Sequence, residues 1–319
     1  MIVDPERSYD LIGDVHGCAH TLTHLLDQLG YRRHAGVWTH ARRQVIFLGD
    51  IIDRGPRIRE ALHLVHDMVE AGQAHCIMGN HEFNALGWFT PAPPESGKAF
   101  VRDHTPRYEM LLRQTFEQFE RYADEWQAFL AWFMELPLFL ENERFRVVHA
   151  CWDNSVIDRL RQRLSEGRLD ADFLREAAFA DAFAAKALDR LLRGTDMPLP
   201  AGLTLTSAEG FTRNFFRTKF WEENPRTYGD VVFQPDGLPE QAARLPLSES
   251  QKSRLFLYGP DDPLLFVGHY WRSGVPAPIR HNLACLDYSA VKYGKLVAYR
   301  LDRETRLDPA KFVWVNVER

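Results

Sequence analysis

The chain has 319 residues, a length that suits one large domain or one core with a sizeable insertion. Hydrophobic residues make up 45% and charged residues 26%, the composition of an ordinary globular protein. The formal net charge of −5 lacks the basic excess of a general nucleic-acid binder, so any bound anion must be held by a local cluster of arginine or metal.

The cysteines and the apolar segments exclude further classes. The four cysteines are widely spaced without a CxxC pair, which argues against a zinc ribbon or a disulfide framework. The first seven residues lack the apolar core of a signal peptide. The most apolar stretch, residues 129–140, is interrupted by Glu135 and Pro137 and is too short to cross a bilayer. We therefore expect a cytoplasmic protein with no membrane partner.

The first 85 residues alternate strand-like and helix-like segments and carry three short motifs. The motifs are GDVHG at residues 13–17, GDIIDRG at 49–55 and GNHE at 79–82. Each motif follows an apolar, strand-like run and precedes a helix-like segment. This context predicts that all three lie on loops at the same edge of one sheet, where open α/β sheets hold ligands.

Two later strand-like runs end in histidine. A long helical stretch at about residues 108–135 precedes a run at 145–148, which is followed by His149. A second run, at 264–268, is followed by His269. The runs that come after it read as consecutive antiparallel strands. Both histidines are therefore expected at strand ends, as are the three motifs.

Residues 153–245 interrupt this pattern. They begin with charged, helix-like sequence and continue with turn residues and a cluster of arginine and aromatic residues at 213–221. Strand-like runs resume afterwards. We therefore predict a single domain of residues 1–319, with 153–245 as an insertion that caps the site.

The residue types at the strand ends suit a pair of divalent metals acting on phosphate. Two metals clamp a phosphate ester, offset its charge and lower the pKa of a bound water from about 15.7 towards roughly 7. Such a site needs a carboxylate that bridges the metals, with histidine, asparagine and aspartate on either side. Ligation by nitrogen and oxygen without thiolate suits manganese, iron or zinc and does not choose among them.

The three motifs, together with His149 and His269, resemble those of the calcineurin-like metallophosphoesterases, in particular the phosphoprotein-phosphatase superfamily. The resemblance covers roughly residues 8–150 and 260–300. It implies an α/β fold, a four-layer αββα sandwich with a helical insertion over the site. It also implies a hydrolase with two divalent metal ions. Manganese is the expected metal, and iron and zinc are the alternatives.

The resemblance assigns the metal ligands position by position. The first metal would be held by Asp14, His16 and Asp50, and the second by Asp50, Asn80, His149 and His269. Asp50 would therefore bridge the two metals. All other histidines except His81 are expected on the surface or in packing.

The resemblance also implies roles for three residues that do not bind metal. His81 would protonate the leaving-group oxygen, and Asp53 would orient His81. Arg54 would contact phosphate oxygens through its planar guanidinium.

A second phosphate-binding arginine is less evident from the sequence. The candidates are Arg213, Arg217 and Arg272. Arg217 is our first choice because it lies among Phe216, Phe220 and Trp221. Packing of an arginine within a cap helix is the alternative explanation.

Two branches of the superfamily imply different substrates for this chain. Serine/threonine protein phosphatases carry a Ser-Ala-Pro-Asn-Tyr motif near the end of the catalytic core. Bacterial symmetrical diadenosine tetraphosphate hydrolases instead carry an Ile-Asp-Thr-Gly and Gly-Gly-x-Leu ending. The corresponding sequence here, residues 284–289 and 293–296, looks more like the ending of the nucleotide hydrolases. We expect a dinucleoside polyphosphate hydrolase that releases ADP alone. A phosphoprotein phosphatase and a catalytically dead scaffold that binds phosphorylated ligands are the alternatives.

Overall fold

The computed structural model describes residues 3–206, 210, 212–233 and 238–317. The chain divides into two compact units. The first unit is Met1–Leu192 together with Pro263–Arg319, and the second unit is Arg193–Asp262.

The first unit begins with the alternation of strand and helix expected for its first 85 residues, and helices predominate after residue 80. The strands are β1 (Ser8–Ile12), β2 (Arg32–His34), β3 (Val37–Thr39), β4 (Arg43–Phe47), β5 (Ala74–Cys76), β6 (Phe139–Glu141) and β7 (Phe145–Val148). The helices are α1 (Ala19–Leu29), α2 (Ile58–Glu70), α3 (Asn80–Phe89), α4 (Pro106–Phe119), α5 (Ala123–Glu135), α6 (Asn154–Arg163), α7 (Ala171–Glu176) and α8 (Phe183–Arg193).

The remaining elements belong to the second unit and to the return of the chain to the first. The second unit contains β8 (Thr195–Pro198), β9 (Leu205–Thr206), β10 (Thr212–Arg213), β11 (Phe215–Thr218), α9 (Tyr228–Val231), α10 (Glu240–Ala243) and α11 (Glu249–Lys252). The first unit ends with β12 (Leu264–Val267), β13 (Leu283–Cys285), β14 (Asp287–Tyr288), β15 (Lys295–Leu301) and β16 (Phe312–Asn316).

Two sheets form the centre of the first unit. One has the order β14-β15-β1-β4-β5, and β16 also pairs with β15. Its strands β1, β4 and β5 are parallel, and β15 runs antiparallel to β1. The other sheet has the order β13-β12-β7-β6, with β13, β12 and β7 parallel. Parallel strands end at a common edge, so each sheet gathers its strand-end loops on one side.

The two sheets share one hydrophobic core. Leu11 and Ile46 of the first sheet lie in the same buried cluster as Val147 and Phe266 of the second. Helices α1 and α2 also bury their apolar faces, α1 against β15 and β16 and α2 against β5. The predicted α/β sandwich is confirmed.

The helical stretch predicted at residues 108–135 is two helices, α4 and α5. The chain leaves helical geometry at Tyr122, whose φ is −132°. Asp124 and Glu125 occupy the first turn of α5, where acidic side chains stabilise a helix N-terminus. Among the residues that the structure describes, no helix combines the length and apolar character that a membrane span requires.

The second unit has its own small core and differs from the predicted insertion. Strands β8 and β11 pair antiparallel, and Phe216 is fully buried in a cluster with Met197 and Val231. The structure places α6 and α7 in the first unit, so the compact unit begins later and ends later than the predicted 153–245. The capping role stays a prediction.

Candidate metal centre

The first sheet places four predicted ligands on three neighbouring loops. Asp14 and His16 follow β1, Asp50 follows β4, and Asn80 begins α3 after β5. All four side chains are buried. The backbone φ is 42° at His16 and 52° at Asp50, a sparsely populated conformation that turns the chain sharply after each strand. The backbone N–H of His16 donates to the carbonyl oxygen of Asp50 at 2.9 Å, which connects the first two loops.

His149 and His269 reach the same place from the second sheet. They follow the adjacent parallel strands β7 and β12. Nε2 of His149 lies 3.3 Å from Oδ2 of Asp50 and 3.2 Å from Oδ1 of Asn80. The backbone N–H of His269 donates to Oδ2 of Asp14 at 3.2 Å. The structure thus brings all six predicted ligands together.

The carboxylate of Asp50 lies between two groups of donor atoms. One group contains Asp50, His16 and His81, the other contains Asp50, His149 and His269, and the atoms of each group lie within 4.8 Å of one another. Nε2 of His16 and Nε2 of His81 lie 3.7 Å and 3.8 Å from Oδ2 of Asp50. This position is the one that a bridging carboxylate occupies between two metals.

The orientation of two imidazoles fits metal binding. Nδ1 of His16 lies 2.8 Å from the carbonyl oxygen of Ile52, and Nδ1 of His149 lies 2.7 Å from that of Leu48. A carbonyl only accepts, so each Nδ1 carries a proton and each Nε2 is directed at Asp50. Metal-binding histidines commonly have such a carbonyl partner.

Two glycines allow the backbone to approach the carboxylates. A Cβ at Gly79 would stand 2.2 Å from Oδ1 of Asp50, and a Cβ at Gly268 would stand 2.1 Å from Oδ1 of Asp14. Any side chain at either position would displace a predicted ligand. The donor set and its surroundings therefore fit two divalent metal ions.

Positive charge would stabilise the buried carboxylates of the site. Burial raises the pKa of Asp14 well above its usual range, and the charge of Asp287 adds to this effect. Burial would also raise the pKa of Asp50, but the imidazoles of His149 and His81 outweigh it and hold that pKa well below its usual range. Burial lowers the pKa of His149, yet the charge of Asp50 prevails and raises it to about 10. A divalent cation would take the place of the proton on His149.

His81 and Asp53 form a buried pair at one side of the candidate metal centre. Nδ1 of His81 lies 2.5 Å from Oδ2 of Asp53, a separation that requires a proton between the two atoms. The backbone N–H of His81 donates to Oδ1 of Asp50 at 3.0 Å. Burial raises the pKa of Asp53 to about 8. The ring is thus held at Nδ1 while Nε2 faces the site, as a general acid requires.

Glu82, to which the sequence analysis gave no role, connects two ligand loops. Its buried carboxylate accepts backbone N–H bonds from Asp50 at 2.8 Å, Ile51 at 2.8 Å, Ile52 at 3.3 Å and Gly79 at 3.0 Å. These bonds fix the loop of Asp50 to the start of α3. The signal in the sequence was Glu82 itself, the last residue of the GNHE motif.

Asp287 is a second residue that the sequence analysis missed as part of the site. It is buried, and its carboxylate accepts the backbone N–H of Ser289 at 2.8 Å. Burial raises its pKa, and the charges of Arg54, Asp50 and His149 also act on it. The available signal was an acidic residue shortly after β13, at the position where β14 begins.

The predicted phosphate-binding arginines lie in different units. Arg54 of the first unit has an exposed side chain and a φ of 67°, and its charge acts on both His16 and Asp287. Arg217 lies on β11 of the second unit, opposite Asp196 of β8. Its phosphate-binding role stays a prediction.

Comparison with known proteins agrees with the class that fold and site define, a metal-dependent phosphoesterase. Residues 9–270 match the family described as calcineurin-like phosphoesterase. The chain belongs to this family, as the sequence predicted. Members of the family use a dinuclear divalent metal centre, and the histidine and aspartate groups around Asp50 provide donors for one.

Curated relatives of the chain carry the name asymmetrical bis(5'-nucleosyl)-tetraphosphatase PrpE. The protein from Oceanobacillus iheyensis is 33% identical over 142 residues, 44% of this chain and 54% of the relative. The protein from Halalkalibacterium halodurans is 45% identical over 74 residues, 23% of this chain and 30% of the relative. The match therefore spans about half of the first relative and less of the second.

A solved structure supports the fold alone. A serine/threonine phosphatase from Saccharomyces cerevisiae aligns with a TM-score of 0.52 and 13% identity, over 99% of this chain and 81% of that chain.

Proposed function

We propose that this protein is a dinuclear-metal phosphoesterase that hydrolyses dinucleoside polyphosphates of the diadenosine tetraphosphate type. The observation that carries the proposal is the position of the Asp50 carboxylate, which faces the imidazole of His16 in one group of donors and the imidazole of His149 in the other. Similarity to the PrpE relatives supports the class of substrate.

The proposed metals are two manganese ions, with iron or zinc as alternatives that the same nitrogen and oxygen donors accept. The proposed ligands are Asp14, His16, Asp50, Asn80, His149 and His269. When bound, the metals would offset the charge of the phosphate and lower the pKa of a bound water.

The protein side chains would direct the departing group. As the P–O bond to the leaving group breaks, His81 gives its Nε2 proton to the departing oxygen, and Asp53 keeps the ring in place through Nδ1. Arg54 pairs with phosphate oxygens. We assign the second phosphate contact to Arg217.

The relatives favour a cleavage position other than the one that the sequence predicted. The resemblance to symmetrical hydrolases implied ADP as the product, whereas the relatives carry the word asymmetrical in their name. Uneven division of a tetraphosphate leaves a nucleoside triphosphate and a monophosphate. We therefore propose that diadenosine tetraphosphate gives ATP and AMP.

Chromatography of reaction products tests the proposal. The purified, manganese-loaded protein is incubated separately with diadenosine tetraphosphate, a phosphopeptide and p-nitrophenyl phosphate, with metal-stripped protein as the control. We expect ATP and AMP, in equal amounts, only with metal. ADP alone would restore symmetrical cleavage, and hydrolysis of the phosphopeptide without the dinucleotide would indicate a protein phosphatase. Two bound metals without any turnover would indicate a phospho-ligand scaffold.

The cytoplasmic location stays a prediction.

A further inference from the structure

Helix α4, which contains none of the three motifs, contacts the loop that carries Asp53. Thr115 and Gln118 lie three residues apart on this helix and therefore share a face. Oε1 of Gln118 accepts the backbone N–H of Ile58 at 2.6 Å, and its Nε2 donates to the carbonyl oxygen of Gly55 at 3.1 Å. Gln118 thus forms hydrogen bonds to the backbone of this loop.

Thr115 makes a different contact, because it binds the Asp53 side chain. Its Oγ1 accepts the backbone N–H of Asp53 at 3.1 Å and donates to Oδ1 of the same residue. The side chain of Thr115 is fully buried, on a helix face shared with the buried Leu112 and Phe119. A hydroxyl in such surroundings destabilises the protein unless it is hydrogen-bonded, and here both of its bonds go to Asp53.

The two oxygens of Asp53 therefore have separate partners. Thr115 occupies Oδ1, and His81 occupies Oδ2. The φ of Asp53 is 67°, so the local backbone alone does not favour this conformation. Two bonds from Thr115 to the backbone and carboxylate of Asp53 fix both the position and the rotation of the carboxylate.

We propose that Thr115 is a positioning residue for proton transfer by His81. The inference rests on the proposed function. By holding Oδ1 of Asp53, Thr115 keeps Oδ2 on Nδ1 of His81, so that the Nε2 proton stays directed at the leaving-group oxygen. Without the hydroxyl, the carboxylate rotates and the imidazole loses its fixed orientation.

The substitution Thr115→Val tests the proposal because it keeps the shape of the side chain and removes the hydroxyl. A general acid matters most for poor leaving groups and contributes about 10²-fold or more. We expect kcat for phenyl phosphate to fall at least about tenfold, while kcat for p-nitrophenyl phosphate stays within about threefold. Thr115→Ser restores the hydroxyl and should recover most of the lost rate.

Gln118→Met is the matched control from the same face of α4. It removes the contacts to the loop backbone and leaves the Asp53 carboxylate bonded to Thr115. We expect equal, small losses for both esters. Metal content is measured for each variant and should stay at two ions per chain. Equal losses for both esters in Thr115→Val, or no recovery in Thr115→Ser, would mean that Thr115 only supports the fold.

A spectroscopic readout makes the result independent of turnover. The Nδ1 proton of His81 should give a downfield NMR resonance in the zinc-loaded protein, identified by its loss in His81→Asn. We expect Thr115→Val to shift or broaden this resonance and Gln118→Met to leave it in place. An unchanged resonance in Thr115→Val overturns the inference. Wild-type protein that binds two metals and hydrolyses neither these esters nor diadenosine tetraphosphate would count against the proposed function instead, since the resonance still decides the role of Thr115.

Discussion

The candidate metal centre and the second unit are built on opposite principles. Around Asp50, buried side chains are charged or polar, and the backbone adopts positive φ at several of them. In the second unit, a cluster around Phe216 buries apolar side chains, and its strands pair in short antiparallel ribbons. The first arrangement is costly without bound cations, whereas the second is stable through apolar burial. This difference indicates where a substitution will alter chemistry and where it will alter folding.

The largest effect is expected from Asp50→Asn. The amide removes the charge between the two donor groups, and the mutual repulsion of the two metals is then no longer offset. Both ions should be lost together, and turnover should fall below detection. Metal analysis by mass spectrometry, alongside turnover of p-nitrophenyl phosphate, checks this. Two ions per chain with near-normal turnover would show that Asp50 does not bridge.

His81→Asn should separate proton transfer from metal binding. We expect both metals to remain and kcat to fall by about 10² or more, the low end for a general acid. The loss should shrink for p-nitrophenyl phosphate, whose leaving group needs little protonation. The measurement is a series of aryl phosphates with increasing leaving-group pKa. A loss that is the same across the series would assign His81 to positioning of the phosphate.

Glu82→Gln should lower the metal affinity of the candidate centre, although Glu82 is not itself a proposed ligand. The carboxylate of Glu82 now accepts backbone N–H bonds through both of its oxygens. In glutamine one of these oxygens is replaced by an NH₂ group, which cannot accept a hydrogen bond from a backbone N–H. We therefore expect the loop of Asp50 to move. Loss of such an outer partner typically lowers metal affinity by about 10- to 100-fold. Titration with manganese, followed by calorimetry, measures this. The control is Glu60→Gln, an exposed glutamate on α2 paired with Arg57. Equal affinities in the two variants would exclude a supporting role for Glu82.

Short-range sequence patterns predicted most of the first unit. A strand–loop–helix pattern repeated three times defines a sheet edge, and Asp14, Asp50 and Asn80 lie at that edge as expected. Glycines beside them allow the backbone to approach the carboxylates, and the motifs contain these glycines. Local rules sufficed because each proposed ligand lies in the loop or turn that follows a strand.

Short-range sequence patterns could not predict contacts between distant segments of the chain. Thr115 is 62 residues from Asp53 in the chain, and nothing in the sequence of α4 marks it among the neighbouring residues. The boundaries of the second unit depend on which apolar residues share a core, so the predicted 153–245 also included helices of the first unit. Packing between distant segments decides both features.

Arg217→Ala sharpens the comparison between the two regions, because it asks whether a side chain of the second unit serves the chemistry of the first. Removing one charge-assisted contact to a phosphate weakens binding by about 1.5 kcal/mol, or roughly tenfold. We expect KM for diadenosine tetraphosphate to rise by about that factor, with KM for p-nitrophenyl phosphate within about twofold, because that ester has no second phosphate.

The control for this prediction is Arg244→Ala, an exposed arginine of the same unit that pairs with Glu240. It removes a positive charge from the same unit and should leave both KM values near those of the wild type. If Arg217 only packs within its ribbon, Arg217→Ala will lower the melting temperature and leave the ratio of the two KM values unchanged. Equal increases in KM for the dinucleotide in both variants would indicate a general effect of positive charge, and Arg217 would lose its specific role.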